Sequence, residues 1–290
     1  MNKKITKLMT GAAMTTAILA SAGCFATMED KEMNLTNTEK AVSLIRSIET
    51  GDQAPVSYIN PEKYIQHNLA VGDGLAGFGA VLQALPVGSA KADVKRAFQD
   101  GEYVVLHTSY NFFGPKVGFD VFRFEEGVIV EHWDNLTEKA KPNTSGRTQI
   151  DGPTDILDLD KTSENKQTVS DFVVTILING EMDKITDFIG TGEQDYLQHN
   201  TAVGDGLGAL GAALGALAEQ GMPMVYSRNH KVLGQGNFVL SISEGQFLNE
   251  HVAFYDLFRL QEGRIVEHWD TIETIPAKAE WQNDNGKFGF

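Results

Sequence analysis

Two stretches of this chain are written twice. Tyr64-Ile-Gln-His67-Asn68-Leu-Ala-Val-Gly72-Asp73-Gly74-Leu75 returns, with small changes, as Tyr196 to Leu207, an offset of 132 residues. Asp120-Val-Phe-Arg123-Phe-Glu-Glu-Gly127-Val-Ile-Val-Glu131-His132-Trp133-Asp134 returns as Asp256 to Asp270, an offset of 136. Solenoid repeats run from about 20 to 50 residues, so a period this long is a duplicated domain. The duplication is also an internal control: what both copies keep is worth interpreting, and what differs between them is less constrained.

A chain of 290 residues has room for two ordinary domains, and 42% hydrophobic content supports a core in each. The formal net charge of −15 repels phosphate backbones, so no nucleic-acid partner is expected. Residues 1–26 read as an export signal. Lys3, Lys4 and Lys7 form its basic start, Leu8 to Ala20 its apolar run, and small residues follow. That run is too short to span a bilayer. Cleavage after Ala20-Ser21-Ala22 suits an ordinary signal peptidase, while Ser21-Ala22-Gly23-Cys24 resembles a lipobox. The expected location is therefore the bacterial envelope, either periplasmic or lipid-anchored, with membrane contact only through a lipid on Cys24. Cys24 is the single cysteine, so stability must come from packed cores and no disulfide can form within the chain.

The first copy opens with helical spacing over Thr38 to Thr50, where Ala41, Leu44, Ile45 and Ile48 share a face. Asp73 stands where an N-cap would, ahead of a helix carrying Phe78, Val81, Leu82 and Leu85. Strand-like runs follow at Lys91–Phe98, Tyr103–Asn111, Lys116–Glu125 and Val128–Leu136. The second copy repeats this order: helices at Ser163–Asn179 and Leu207–Glu219, the latter capped by Asp205, then strands at Met224–Leu233, Asn237–Ser243, Gln246–Leu260 and Arg264–Ile272. Helices first and a long meander last describe an α+β fold with helices on one face of a curved antiparallel sheet. The expected domains are 34–140 and 162–290, the second ending in a C-terminal tail, joined by a linker at 141–161.

The Tyr-Ile-Gln-His-Asn and Asp-Gly-Leu block, followed by Phe-Asp-Val-Phe-Arg and Gly-x-Ile-Val-Glu-His-Trp-Asp, resembles the SnoaL-like polyketide cyclase group. That group belongs to the nuclear-transport-factor-2-like superfamily of cone-shaped, cystatin-like α+β domains. The resemblance covers nearly everything after residue 34, twice over. It implies an acid/base aspartate, an enolisable polyketide-like substrate and no cofactor. The fold itself hosts many chemistries, so the activity has to be argued from the site.

Alternate residues of a strand share a face. A three-residue turn at Glu125 to Gly127 pairs Phe124 with Val128 and Asp120 with His132. One face then carries Asp120, Phe122, Val130, His132 and Asp134, and the other carries Val121, Arg123, Ile129, Glu131 and Trp133. A two-residue turn reverses the second strand. Resemblance to ketosteroid isomerases, whose matching strand points an aspartate into the pocket, favours the first choice. Asp120 and Asp256 are accordingly the expected acid/base groups, with His132 and His268 as proton partners. Apolar walls are expected to raise the pKa of such an aspartate. Phe122, Asp134 and Asn68, with Phe258, Asp270 and Asn200, are the expected ligand-lining residues. His67 and His199 lie near the expected cone mouth, where a histidine could polarise a carbonyl. His107 sits mid-strand where the family commonly has a histidine. Its counterpart is Ile242, so the two pockets are expected to differ, with the first the more active.

The opposite face, with Arg123, Glu131, Trp133 and their counterparts Arg259, Glu267, Trp269, suits an intramolecular pseudo-dimer of the two domains. A metal needs His67, His107, His132, Asp120 and Asp134 to converge, and the close spacings that mark metal motifs are missing, so no metal is expected. The Gly-rich stretch at Gly204 to Gly215 follows no strand and lacks the Lys-Ser/Thr ending of a phosphate loop. The leading expectation is cofactor-independent aldol-cyclase or isomerase chemistry on a small hydrophobic carbonyl compound. The alternatives are a binding module for a small hydrophobic molecule and a purely structural role.

Overall fold

The computed structural model describes residues 35–85 and 88–290. The expected export segment and Cys24 lie outside the described residues. Thr36 opens α1 (Asn37–Thr50) with a capping box, its side chain accepting from the Glu39 backbone while the Glu39 carboxylate reaches back. Left-handed Gly51 closes the helix. Ala41, Leu44 and Ile45 on its inner face are buried against a five-stranded sheet. The strands are β1 (Ile65–Gln66), β2 (Lys91–Asp100), β3 (Tyr103–Asn111), β4 (Pro115–Glu125) and β5 (Val128–Glu138), in the order β1-β5-β4-β3-β2. A short helix, α2 (Gly74–Ala84), lies between β1 and β2 in sequence.

The second copy repeats this with α3 (Thr162–Phe172), continued to Ile178 in wider π-helical turns, and α4 (Gly206–Glu219). Its sheet runs β6-β10-β9-β8-β7, built from β6 (Leu197–Gln198), β7 (Val225–Gln235), β8 (Phe238–Phe247), β9 (Glu250–Gln261) and β10 (Arg264–Thr274). The architecture is α+β as the sequence predicts, with one difference. β1 and β6 join their sheets in parallel, so both sheets are mixed where an antiparallel sheet was expected. The run Gln246–Leu260 is two strands, divided where Leu248 and Asn249 take φ of 51° and 64°. Two successive positive-φ residues make a tight hairpin turn, which the apolar pattern alone does not reveal.

The hairpin that carries the repeated aspartate also departs from the sequence reading. Glu126 and Gly127 take φ of 48° and 79°, the geometry of a two-residue turn. Phe124 therefore pairs with Ile129, and a bulge then leaves Val130 unpaired between Ile129 and Glu131. The shorter turn and the extra residue cancel in parity. Beyond the bulge Asp120 pairs with Asp134 and Phe122 with His132, so these four share a face as expected, although Asp120 and His132 are diagonal neighbours. Before the bulge the faces are reversed, and Ile129 packs with Phe122 and Phe124 under α1. The second copy bulges equivalently at Val266.

Each sheet buries one face under its own helices and the other against the opposite copy. Phe98, Val105, Phe119, Val121 and Trp133 share one core with Leu233, Leu240, Tyr255, Leu257 and Trp269. At its centre the side-chain amide of Asn135 donates to the carbonyl oxygen of Thr271 at 2.8 Å. Asn135 and Thr271 are equivalent positions, 136 apart, which is what a local two-fold axis produces. Asn143 and Arg147, after the first sheet, bond the second copy, and Asn283 and Asn285, after the second sheet, bond the first.

Candidate functional site

Each sheet and its helices enclose an apolar pocket. The first has a volume of about 660 Å³, with Ile45, Ile48, Phe78, Val81 and Phe112 among its walls. The second is about 330 Å³, walled by Phe172, Ile176, Leu177, Leu210 and Leu214. In each, the polar groups gather on the strands β4–β5 or β9–β10. Asp120, His132, Asp134, Asn68 and Phe122 line the first pocket; Asp256, His268, Asp270, Asn200 and Phe258 line the second.

The hydrogen bonds fix the proton inventory. The Asn68 backbone N–H donates to Gln66 Oε1 at 2.8 Å, which settles which end of that amide is oxygen. His132 Nδ1, 3.1 Å from the same Oε1, must then donate its proton there. Its Nε2 faces Asp120 Oδ1 at 3.2 Å. A lone pair facing a carboxylate would be repelled, so this contact holds a proton between nitrogen and oxygen. The second copy repeats the chain: Asn200 N to Gln198 Oε1 at 2.9 Å, His268 Nδ1 to Oε1 at 3.0 Å, and His268 Nε2 to Asp256 Oδ1 at 3.0 Å. Burial works against a charged His268, but the bond and the charge of Asp256 outweigh it and hold its pKa above the ordinary histidine value. Asp270 is also held above the ordinary carboxylate range, chiefly because the apolar pocket strips its carboxylate of water.

The other carboxylate of each pocket is tied to the loop. Asn68 Nδ2 donates to Asp134 Oδ2 at 2.6 Å, and Asn200 Nδ2 to Asp270 Oδ2 at 2.7 Å. Lys287 of the tail lies 3.8 Å from Asp134 Oδ1 and 2.5 Å from Glu273 Oε2. Its counterpart Arg147 pairs instead with Asp205, so the cation beside Asp134 has no equivalent from that arm beside Asp270.

Three of the expected histidines are elsewhere. Gln66 faces the pocket, so the next residue, His67, faces the opposite copy. There it stacks on Trp133 at 4.6 Å and meets Glu131 at 2.8 Å. His199 does the same with Trp269 and Glu267. His107 pairs with Phe119, whose face is the one shared between copies; it stacks on Phe119 and bonds Arg96 at 3.1 Å. Burial and the Arg96 charge hold its pKa well below the usual histidine range. The argument from His107 for a more active first pocket therefore falls, because neither His107 nor Ile242 lines a pocket. Asp73 and Asp205 occupy the N-cap positions of α2 and α4, but neither side chain caps its helix. Each instead accepts from the β1 or β6 backbone, at Gln66 N and Gln198 N. The expected Arg123–Glu131 and Arg259–Glu267 pairs do close, each within its own hairpin, at 2.6 and 2.7 Å.

Two groups of functional residues were not read from the sequence. Gln66 and Gln198 stand in the repeated block beside the histidines, and their retention in both copies was the available signal. Tyr110 donates to Asp120 Oδ2 at 2.5 Å, and Tyr226 to both oxygens of Asp256 at 3.2 Å. Burial pushes both phenols well above their ordinary pKa, so they stay protonated donors. Asp120, His132 and Asp134 also bring three ligand atoms within 4.8 Å of one another, as do Asp256, His268 and Asp270, so either trio could hold a cation.

No family model matches the chain, and no curated protein matches it. The solved structures it is similar to are SnoaL-like, NTF2-like and cystatin-fold proteins. A proposed SnoaL-like polyketide cyclase from Jannaschia is 15% identical, with 34% of this chain and 84% of that one covered and a TM-score of 0.29. An NTF2-like protein of unknown function from Burkholderia xenovorans is 15% identical, covering 37% and 88%, with a TM-score of 0.33. A cystatin-fold protein from Novosphingobium aromaticivorans is 22% identical, covering 34% and 97%, with a TM-score of 0.31.

Proposed function

We propose that the chain performs cofactor-independent acid/base chemistry, of aldol-cyclase or isomerase type, on a small hydrophobic carbonyl compound held in its pockets. The observation that carries this reading is the Asp–His pair, present in both copies at 3.2 and 3.0 Å with the far imidazole nitrogen committed to a glutamine oxygen. In the ion-paired form the carboxylate beside the imidazole keeps a free lone pair in the apolar pocket, and that lone pair takes a proton from the carbon α to a carbonyl and returns it elsewhere. In isomerisation the proton goes back to a different carbon. In aldol cyclisation the enolate attacks a second carbonyl of the same molecule, and the pair protonates the resulting alkoxide. Both sequences balance without an external electron acceptor. The expected export segment would put this chemistry in the bacterial envelope.

The test is deuterium exchange at the α-carbons of a panel of small enolisable ketones in D₂O, followed by proton NMR. The double variant Asp120→Asn, Asp256→Asn should lower the exchange rate by about 10²–10⁴. Chelator should leave it unchanged; a loss with chelator would point to the three-ligand trios instead. Equal exchange in wild type and double variant would overturn the reading and favour a carrier of a hydrophobic molecule.

A further inference from the structure

The hydroxyl that bonds the repeated aspartate does not come from equivalent residues in the two copies. In the first, Tyr110 of β3 pairs across the sheet with Ala92 of β2. In the second, the same cross-strand pair is Gly245 of β8 with Tyr226 of β7. The tyrosine has changed strands, and its partner has become small in each case. A third position moved with them. Gly118, opposite Thr108, corresponds to Phe254, opposite Ser243. Phe254 fills that space and stacks on Tyr226 with centroids 4.1 Å apart. Gly245 cannot hold a side chain, since a Cβ there would lie 1.9 Å from the Val225 carbonyl oxygen and 3.0 Å from the Phe254 ring. Gly118 is crowded by a side-chain end instead, because its Cβ would meet a terminal methyl of Leu136 at 2.1 Å, with the nearest backbone atom, the Asn135 carbonyl oxygen, at 3.0 Å. The two copies have thus taken different packing solutions, and both deliver a phenol to the equivalent carboxylate.

Packing alone gives no reason for this convergence. Ring volume in the pocket wall could be supplied by phenylalanine, as it is at Phe112 and Phe247 nearby. What both solutions preserve is the O–H···carboxylate bond, beside the bond from histidine.

We propose that Tyr110 and Tyr226 are matched positioning residues of the two acid/base centres, each fixing the carboxylate that faces the imidazole, Tyr110 through the oxygen turned away from His132 and Tyr226 across both oxygens of Asp256. The role rests on the acid/base reading, but its structural signature does not depend on turnover. With Oδ2 of Asp120 occupied by the phenol, the shared proton is confined to the line between Oδ1 and His132 Nε2. Without the hydroxyl, the carboxylate carries more charge toward the histidine and can rotate, and the proton is redistributed.

The experiment is nitrogen NMR of protein labelled with ¹⁵N in its histidine rings. Tyr110→Phe keeps the ring and removes the donor, so it should shift the His132 Nε2 resonance while His268 is unaffected. Tyr226→Phe should do the reverse. The exchanged arrangement, Ala92→Tyr with Tyr110→Gly and Gly118→Phe, copies the three positions of the second solution into the first copy and should return the His132 resonance toward its wild-type position. The proposal is overturned if the phenylalanine variants, folded by circular dichroism, leave both histidine signals in place. A folded exchange variant that keeps the Tyr110→Phe spectrum overturns it too. If the exchange variant does not fold, Tyr226→Phe decides alone through His268. Loss of ketone exchange in Asp120→Asn without any histidine shift in Tyr110→Phe would sink this proposal and leave the acid/base reading standing.

Discussion

Asn143 and Asn283 perform the same task on opposite copies. Asn143 follows the first sheet, and its Nδ2 donates to the carbonyls of Gln198, Asn200 and Val203 in the second copy, at 2.6, 3.2 and 2.8 Å. Asn283 follows the second sheet and donates to Asn68 and Val71 in the first, at 2.8 and 3.0 Å. Each arm thus braces the loop after β1 or β6, the loop that carries the pocket asparagine of the other copy. Gly146 and Gly286 stand three residues further on in both arms, so the arm belongs to the repeat.

Removing either amide should therefore act on stability. Asn143→Ala strands buried loop carbonyls, which costs about 1–3 kcal/mol for lost bonds of this kind. In a protein of this size each kcal/mol lowers Tm by roughly 2–4 °C. Asn283→Ala should cost a similar amount, measured by thermal unfolding, and two unchanged Tm values would mean the arms do not brace the loops.

The shared core predicts a larger effect at the tryptophans. Trp269 is fully buried, lies under the Arg96 guanidinium at 4.1 Å, stacks on His199 at 4.5 Å and donates to the Asp151 carbonyl at 2.9 Å. Trp133 is stacked between His67 and Phe290 of the tail, at 4.6 and 4.4 Å. Truncating a buried Trp costs about 3–5 kcal/mol. Trp133→Ala and Trp269→Ala should both shift the urea midpoint by that amount. Phe290→Ala should cost less than either, since Phe290 is only partly buried.

Most of the fold was legible because period-2 and helical patterns set it, and the pairing of Asp120, His132 and Asp134 on one face followed from strand parity. The turn type was misread, because a two-residue turn plus a bulge has the same parity as a three-residue turn beyond Glu131. His67 and His107 were misplaced for the opposite reason. Residue type suggested chemistry, but parity counted from Gln66 and from Phe119 puts both rings between the sheets. The tyrosines were hidden because the repeat comparison looks for identity at equivalent positions, and Tyr110 and Tyr226 are not equivalent. The arms were read as linker and tail since short polar side chains bonding backbone oxygens leave no periodic signal.

Glu267 predicts acid sensitivity of the interface between copies. Burial by itself would raise its pKa, but bonds from His199 and Arg259 more than offset this and hold it below the usual carboxylate range. A carboxylate lowered in the folded state adds stability above its unfolded pKa of about 4.3, and this is lost as pH falls through the lower folded value. Glu267→Gln should cost about 3–5 kcal/mol at neutral pH, the range for breaking one partner of a buried pair. The gap from wild type in urea unfolding should narrow steadily below about pH 4. A gap that is constant with pH would mean the carboxylate charge is not what matters.

The second pocket predicts the opposite sign at Asp270. Desolvation holds its folded pKa above the unfolded value of about 3.9, with Asp256 adding to the effect and His268 and Asn200 opposing it. The folded state therefore binds this proton more tightly than the unfolded chain. Stability from this group is present at low pH and lost as pH rises from about 3.9 through the folded value. His268, also raised, adds stability that is present below about 6.5 and lost as pH rises through its own folded pKa. Asp270→Asn removes the group that resists ionisation and keeps an oxygen to accept from Asn200. Its Tm should exceed that of wild type at neutral pH, and the difference should close below about pH 4. Asp134→Asn is the matched control, because Lys287 lies 3.8 Å from Asp134 Oδ1 and would lose a counter-charge. That variant should gain nothing at neutral pH. A rise in Tm of equal size in both variants would show that Lys287 does not distinguish the two pockets.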